Sequence, residues 1–138
     1  MSLTLHVDEQ RWRANATAVF ARGGVVPVAK GNGYGFGLSR LAKQASELGA
    51  DTLAVGTYAE LDAVADFTGD LVVLNPWRPF AHHIPAHIEA DRVIHTVGRL
   101  VDLEQVPGRV LLEQLTSMKR HGLSASELKQ AVDLALAQ

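Results

Sequence analysis

The sequence predicts an α/β fold built from consecutive βα units on a parallel sheet, and three observations carry that prediction. Apolar runs rich in β-branched residues occur at 25–29, 52–55, 71–74, 93–96 and 110–112. They recur about every 20–25 residues, with helical patterns between and after most of them, as crossover helices require. The runs are continuous rather than alternating, as expected of strands covered on both faces. The chain has 138 residues, 47% of them hydrophobic, and no linker rich in Pro, Gly or Ser, so residues 1–138 read as one domain.

Taken in order, Asp8 caps a helix predicted to run to about Ala21. Val25, Val26, Val28 and Ala29 form the first strand, which ends at Lys30 and is followed by glycines at 31, 33, 35 and 37. Leu38, Leu41, Ala42, Ala45 and Leu48 follow the i, i+3, i+4, i+7 stripe of a helix that Gly49 stops. After the second strand, Thr57 and Glu60 make a capping box ahead of Leu61, Val64 and Ala65. The third strand ends at Leu74. Residues 75–90, with three prolines and three histidines, read as a loop followed by a short helix. Ser124 and Glu127 make a second capping box ahead of Leu128, Ala131, Val132 and Ala135.

Five such units fit two architectures. A flavodoxin-like doubly wound sheet is complete at about this length. A (β/α)8 barrel needs eight units and about 250 residues. Periodicity alone favours the complete fold.

Composition removes several functions. The formal charge of -2 does not point to nucleic acid as a partner. The absence of cysteine excludes disulfides, thiol catalysis and thiolate metal sites. The first ten residues lack a signal-peptide pattern, and no apolar run approaches the roughly 18–20 residues of a membrane span, so a cytoplasmic location is expected. His83 and His87 stand at a spacing that can bind zinc on a helix face. Pro85 lies between them and Glu89 is the only nearby carboxylate, so no metal is expected there.

The stretch VVPVAKGNGYGFGL, residues 25–38, is the most informative. A Walker A loop places its lysine after the glycines, whereas Lys30 precedes them, and neither glycine register completes G-x-G-x-x-G. What remains is a lysine at the C-terminal end of a strand, where α/β folds place their sites. Held there against apolar surface, a lysine amine loses solvation and becomes a nucleophile toward an aldehyde, as a Schiff base with pyridoxal phosphate requires. A lysine can also end a strand simply by reaching solvent.

VAKGNGYGFGL resembles the lysine motif of alanine racemases and their fold-type III relatives, typically V-x-K-A-N-A-Y-G-H-G. Val28, Lys30, Asn32, Tyr34, Gly35 and Gly37 match; Gly31 and Gly33 stand for alanines and Phe36 for histidine. The segment LLEQLTSMKRHGL, residues 111–123, resembles the family's K-x-D-T-G-M-x-R-x-G, with Thr116, Met118, Arg120 and Gly122 matching. Leu115 and Ser117 depart from it. Leu74 resembles the leucine that ends the family's third strand, and Asp8 with Asn15 the family's opening helix, so the resemblance spans about residues 4–137.

The resemblance implies an incomplete TIM-type barrel with about five strands, the N-terminal part of an alanine racemase-like protein. It implies that Lys30 carries pyridoxal 5'-phosphate, that Tyr34 donates its hydroxyl to the cofactor phosphate and that Arg120 bonds the ring's phenolic oxygen. Val28 and Leu74 would line the cofactor. Glu113 takes the place of a lysine that many of these racemases carbamylate, and an anion there suggests a Glu113–Arg120 pair. Three further βα units and a β-rich domain carrying the second catalytic base are expected to lie outside this sequence, leaving the chain by itself inactive or nearly so. Unpaired edge strands would favour self-association as a homo-oligomer acting on a small amino acid. Two other readings stay open: a non-enzymatic pyridoxal-phosphate carrier, and a complete flavodoxin-like binding module in which Lys30 is incidental.

Overall fold

The computed structural model describes residues 3–137. Four strands form one parallel sheet in the order β1 (Thr52–Val55), β2 (Asp70–Val73), β3 (Val93–Val97) and β4 (Arg109–Leu112). The lysine-bearing segment lies beside β1 in parallel, through a bridge from Val28 to Ala54. Spatial order therefore follows chain order with no reversal. A doubly wound sheet reverses at its switch point, so the flavodoxin-like alternative is excluded and a partial barrel fits.

Among the described residues, four α-helices accompany the sheet: α1 (Glu9–Phe20), α2 (Leu38–Glu47), α3 (Leu100–Leu103) and α4 (Ala125–Leu136). Asp8 caps α1 by accepting from the Arg11 amide at 3.0 Å, and Ser124 with Glu127 forms the capping box of α4. The buried core lies between the sheet and these elements. It joins Leu53, Val55, Leu71, Val73, Val93 and Val97 from the strands to Ala42 and Ala45 of α2, Leu103 of α3 and Ala131 of α4.

Three expectations need correction. The strand at 25–29 shrinks to the single bridge at Val28, because its next rung is taken by a side chain described below. The capping box at Thr57 opens two short 3-10 turns, Tyr58–Glu60 and Asp62–Val64, in place of an α-helix. A capping box fixes where a helical turn starts, and the buried Leu61, Val64 and Phe67 then pull the short connection back toward β2. The stretch 75–89 is a loop anchored by the buried Trp77 and Ile88, and only the turn Ala90–Arg92 is helical. Among the described residues, no helix is long and apolar enough to cross a membrane.

Candidate functional site

Side chains alternate between the two faces of a strand, and the register shows which residues share a face. Val28 bridges Ala54, Ala54 pairs with Val72, Val72 with Ile94, and Ile94 with Arg109. Two residues further along each strand, the row runs Lys30, Gly56, Leu74, Thr96, Leu111. It lies on the sheet face opposite the helices, toward the C-terminal ends of the strands. The sheet thus brings Lys30, Val28 and Leu74 to one face from separate parts of the chain.

Backbone details place Lys30 closely. A Cβ added to Gly56 would stand 3.1 Å from the Cβ of Lys30 and 2.9 Å from Oε2 of Glu60, so Lys30 lies directly over this glycine. Ala29 is fully buried on the helical side, while the Lys30 side chain is exposed rather than sunk against apolar surface as the sequence suggested. Glu60 accepts from the amides of Gly31 at 2.5 Å, Gly56 at 2.6 Å and Thr57 at 2.8 Å. The capping box announced its bond to the Thr57 amide. Its reach to Gly31, 29 positions away in sequence, had no local signal.

The glycine loop turns directly after Lys30. The Gly33 amide donates to the Lys30 carbonyl, and Gly33 at φ +56 packs so tightly that a Cβ would stand 2.9 Å from the Leu38 nitrogen. Tyr34 also adopts the left-handed region, at φ 54, where a non-glycine residue is strained. Its side chain is 61% exposed and lines a cleft of about 370 Å³ with Leu5, Trp12, Phe36 and Arg40. Lys30 does not line that cleft.

Arg120 lies across the sheet, in a loop that leaves β4 and returns to α4. The Leu123 amide donates to the Glu113 carbonyl at 2.7 Å and the Leu115 amide to the Leu123 carbonyl at 2.8 Å, closing the loop at its base. Gly122 at φ +127 makes the return and packs on Gly98 at the end of β3. Arg120 is exposed, and the expected pair with Glu113 does not form. Glu113 contacts His121 Nδ1 instead, because the tight return presents residue 121 rather than 120 to the end of β4.

On the helical side lies a polar cluster that the sequence did not signal. The Tyr58 hydroxyl stands 2.6 Å from Nδ1 of His95, and the His82 ring lies between Tyr58 and Trp77 with centroids 6.2 and 5.0 Å away. Burial pushes the Tyr58 hydroxyl well above its ordinary range. Burial, helped by the charge of His82, pushes His95 below its ordinary value. A protonated hydroxyl and a neutral imidazole share one hydrogen bond here, with the His95 tautomer setting which of the two donates. Thr96, on the other face, buries a hydroxyl with no hydrogen-bond partner.

Residues 7–138 match the model of the family described as "Alanine racemase, N-terminal domain". An alanine racemase from Nitratiruptor sp. is 30% identical over 133 residues, covering 93% of this chain and 37% of that protein. Among solved structures, the alanine racemase from E. faecalis matches with a TM-score of 0.76 at 26% identity, over 96% of this chain and 40% of its own. The alanine racemase from D-cycloserine producing Streptomyces lavendulae matches with a TM-score of 0.71 at 27% identity, over 91% of this chain and 36% of its own. The chain spans about two fifths of the length of these relatives.

Proposed function

We propose, from the premise that this chain belongs to the alanine racemase N-terminal domain family, that it forms the cofactor-lysine portion of an amino-acid racemase acting on alanine or a related small amino acid. The family uses pyridoxal phosphate. The observation that carries the proposal is the row on the open sheet face, where Lys30 stands close over the bare backbone of Gly56 and in line with the apolar Leu74. The partnerless Thr96 hydroxyl is the next member of that row. A bare backbone, an apolar neighbour and an orphaned donor fit a flat ring with polar edges.

In this reading Lys30 holds the cofactor through its amine, with Val28 and Leu74 against the ring. Tyr34 meets the phosphate from the glycine loop, and Arg120 meets the ring's phenolic oxygen from the loop after β4. When bound, pyridoxal phosphate supplies an electron sink that stabilises a carbanion at the substrate Cα. Lys30 Nζ takes or returns the Cα proton on one face. Racemisation needs a second base on the other face. The chain has two tyrosines; Tyr34 is assigned to phosphate and Tyr58 is bound to His95 on the helical side. We therefore assign the second base to a part of the protein beyond these residues, and expect this chain alone to bind cofactor without racemising. The same reading makes the protein a cytoplasmic homo-oligomer.

The test is an absorption spectrum after adding pyridoxal phosphate and dialysing. A band near ~420 nm, lost in Lys30→Ala, is the expected signature of a lysine Schiff base. Borohydride trapping followed by peptide mapping should place the adduct on Lys30. An adduct spread evenly over Lys30, Lys43, Lys119 and Lys129 would overturn the assignment.

A further inference from the structure

We infer that Glu60 is a positioning residue for Lys30, its carboxylate standing in for a rung of the sheet so that the lysine is held at the rim without being paired into the ladder. The inference rests on the assignment of Lys30 as the cofactor lysine and adds a residue to that site.

The rungs show how. At the bridge between Val28 and Ala54, the Ala54 amide donates to the Pro27 carbonyl at 2.9 Å and the Ala29 amide to the Ala54 carbonyl at 2.8 Å. A continuing parallel ladder would next join the Gly56 amide to the Ala29 carbonyl and the Gly31 amide to the Gly56 carbonyl. Neither bond forms. Both amides donate to Glu60, Gly31 to Oε1 and Gly56 to Oε2, and the Gly56 carbonyl accepts from Asn75 at 2.8 Å. The lysine segment leaves the sheet at this rung. The Lys30 carbonyl turns to the Gly33 amide at 3.1 Å, and its Cβ comes to rest over Gly56.

A carboxylate suits this position because it only accepts, and three amides converge on it. Glutamine does not substitute evenly. Oε2 takes two donors, from Gly56 and Thr57, and Oε1 takes one, from Gly31. Keeping the greater number turns the amide NH2 of a glutamine toward the Gly31 N–H, donor against donor. Glu60→Gln therefore cuts the link to the lysine segment and leaves the turn cap in place.

The experiment measures two things on the full chain. Trapping with pyridoxal phosphate and borohydride, read by peptide mapping, gives the amount of adduct on Lys30 and on Lys43, Lys119 and Lys129. Glu60→Gln should lower the amount of adduct formed on Lys30 about tenfold and leave the amounts formed on the other three unchanged, whereas a general loss of structure would raise them. Hydrogen exchange of the unsubstituted chain should find the Gly31 amide protected. An amount of Lys30 adduct unchanged in Glu60→Gln, or a Gly31 amide exchanging at the free-peptide rate, overturns the role of Glu60. No preference for Lys30 in the unsubstituted chain, with Gly31 protected, would instead overturn the cofactor assignment.

Discussion

The two faces of the sheet are built from the same kind of residue and are covered differently. On the helical face, Leu53, Val55, Leu71, Val73, Val93 and Val97 are at most 1% exposed. On the other face the middle is shielded, at Ala54, Val72 and Thr96, while Val26, Val28 and Leu111 are 48%, 37% and 44% exposed. The chain covers the whole of the first face and leaves the rim of the second open. The candidate site lies on the second face, so the groups proposed for chemistry sit where the apolar surface is still open. Stability and function are thus divided between the faces.

The largest expected effect tests that division directly. Leu71→Ala should lower unfolding free energy by about 2–5 kcal/mol, as truncation of a fully buried leucine does. Val28→Ala on the open face should change it by only about 0.5 kcal/mol. Urea unfolding of both variants measures the gap, and equal costs would break the comparison.

The next effect belongs to the buried polar cluster on the helical side. Tyr58→Phe removes the hydrogen-bond partner of His95 Nδ1 and leaves a buried polar atom unpaired, which should cost about 1–3 kcal/mol in the same assay. A cost near zero would mean that water replaces the hydroxyl.

A smaller effect is linked to pH. Burial and the neighbouring His82 depress the folded-state pKa of His95, so the unfolded chain binds its proton first. That contribution to stability is complete above about pH 6.5, the unfolded value, and is lost as pH falls from there toward the folded value. Urea midpoints between pH 5 and 7.5 should show the decline, and His95→Gln should flatten it. A slope unchanged in that variant would assign the dependence to other histidines.

The smallest effect on the folded monomer sharpens the comparison from the open side. Leu111→Glu should leave the urea midpoint nearly unchanged and abolish self-association through this face, because a charge resists burial. Sedimentation velocity at micromolar concentration reads both forms. An unsubstituted chain that sediments as a single monomer would show that the open face does not pair.

Much of the site was legible as local chemistry. A strand ending in lysine, a run of glycines and a tyrosine four residues on can be read without coordinates, since each is a statement about neighbours in sequence. The partners of Glu113 and Glu60 could not be read that way. Glu113 faces Arg120 and His121 at nearly the same distance in sequence, and the choice fell to Gly122, whose positive φ turns the loop and presents His121. Glu60 carried the signature of an ordinary cap, and its bond to Gly31 exists only because the sheet places that amide beside Gly56. The Tyr58–His95 contact likewise joins residues 37 positions apart through packing alone.

The sequence by itself determined the helices of lasting length, the positions of the four strands of the sheet and their parallel class, because those follow from spacing within a few residues. It left the order of the strands open, and with it the choice between a doubly wound sheet and a barrel segment. It also left open which apolar face would be covered, since a continuous apolar run looks alike from both sides. Tertiary structure decided both. Strand order is set by which crossovers can pack, and coverage by whether helices reach that face, and these are properties of distant residues meeting in space.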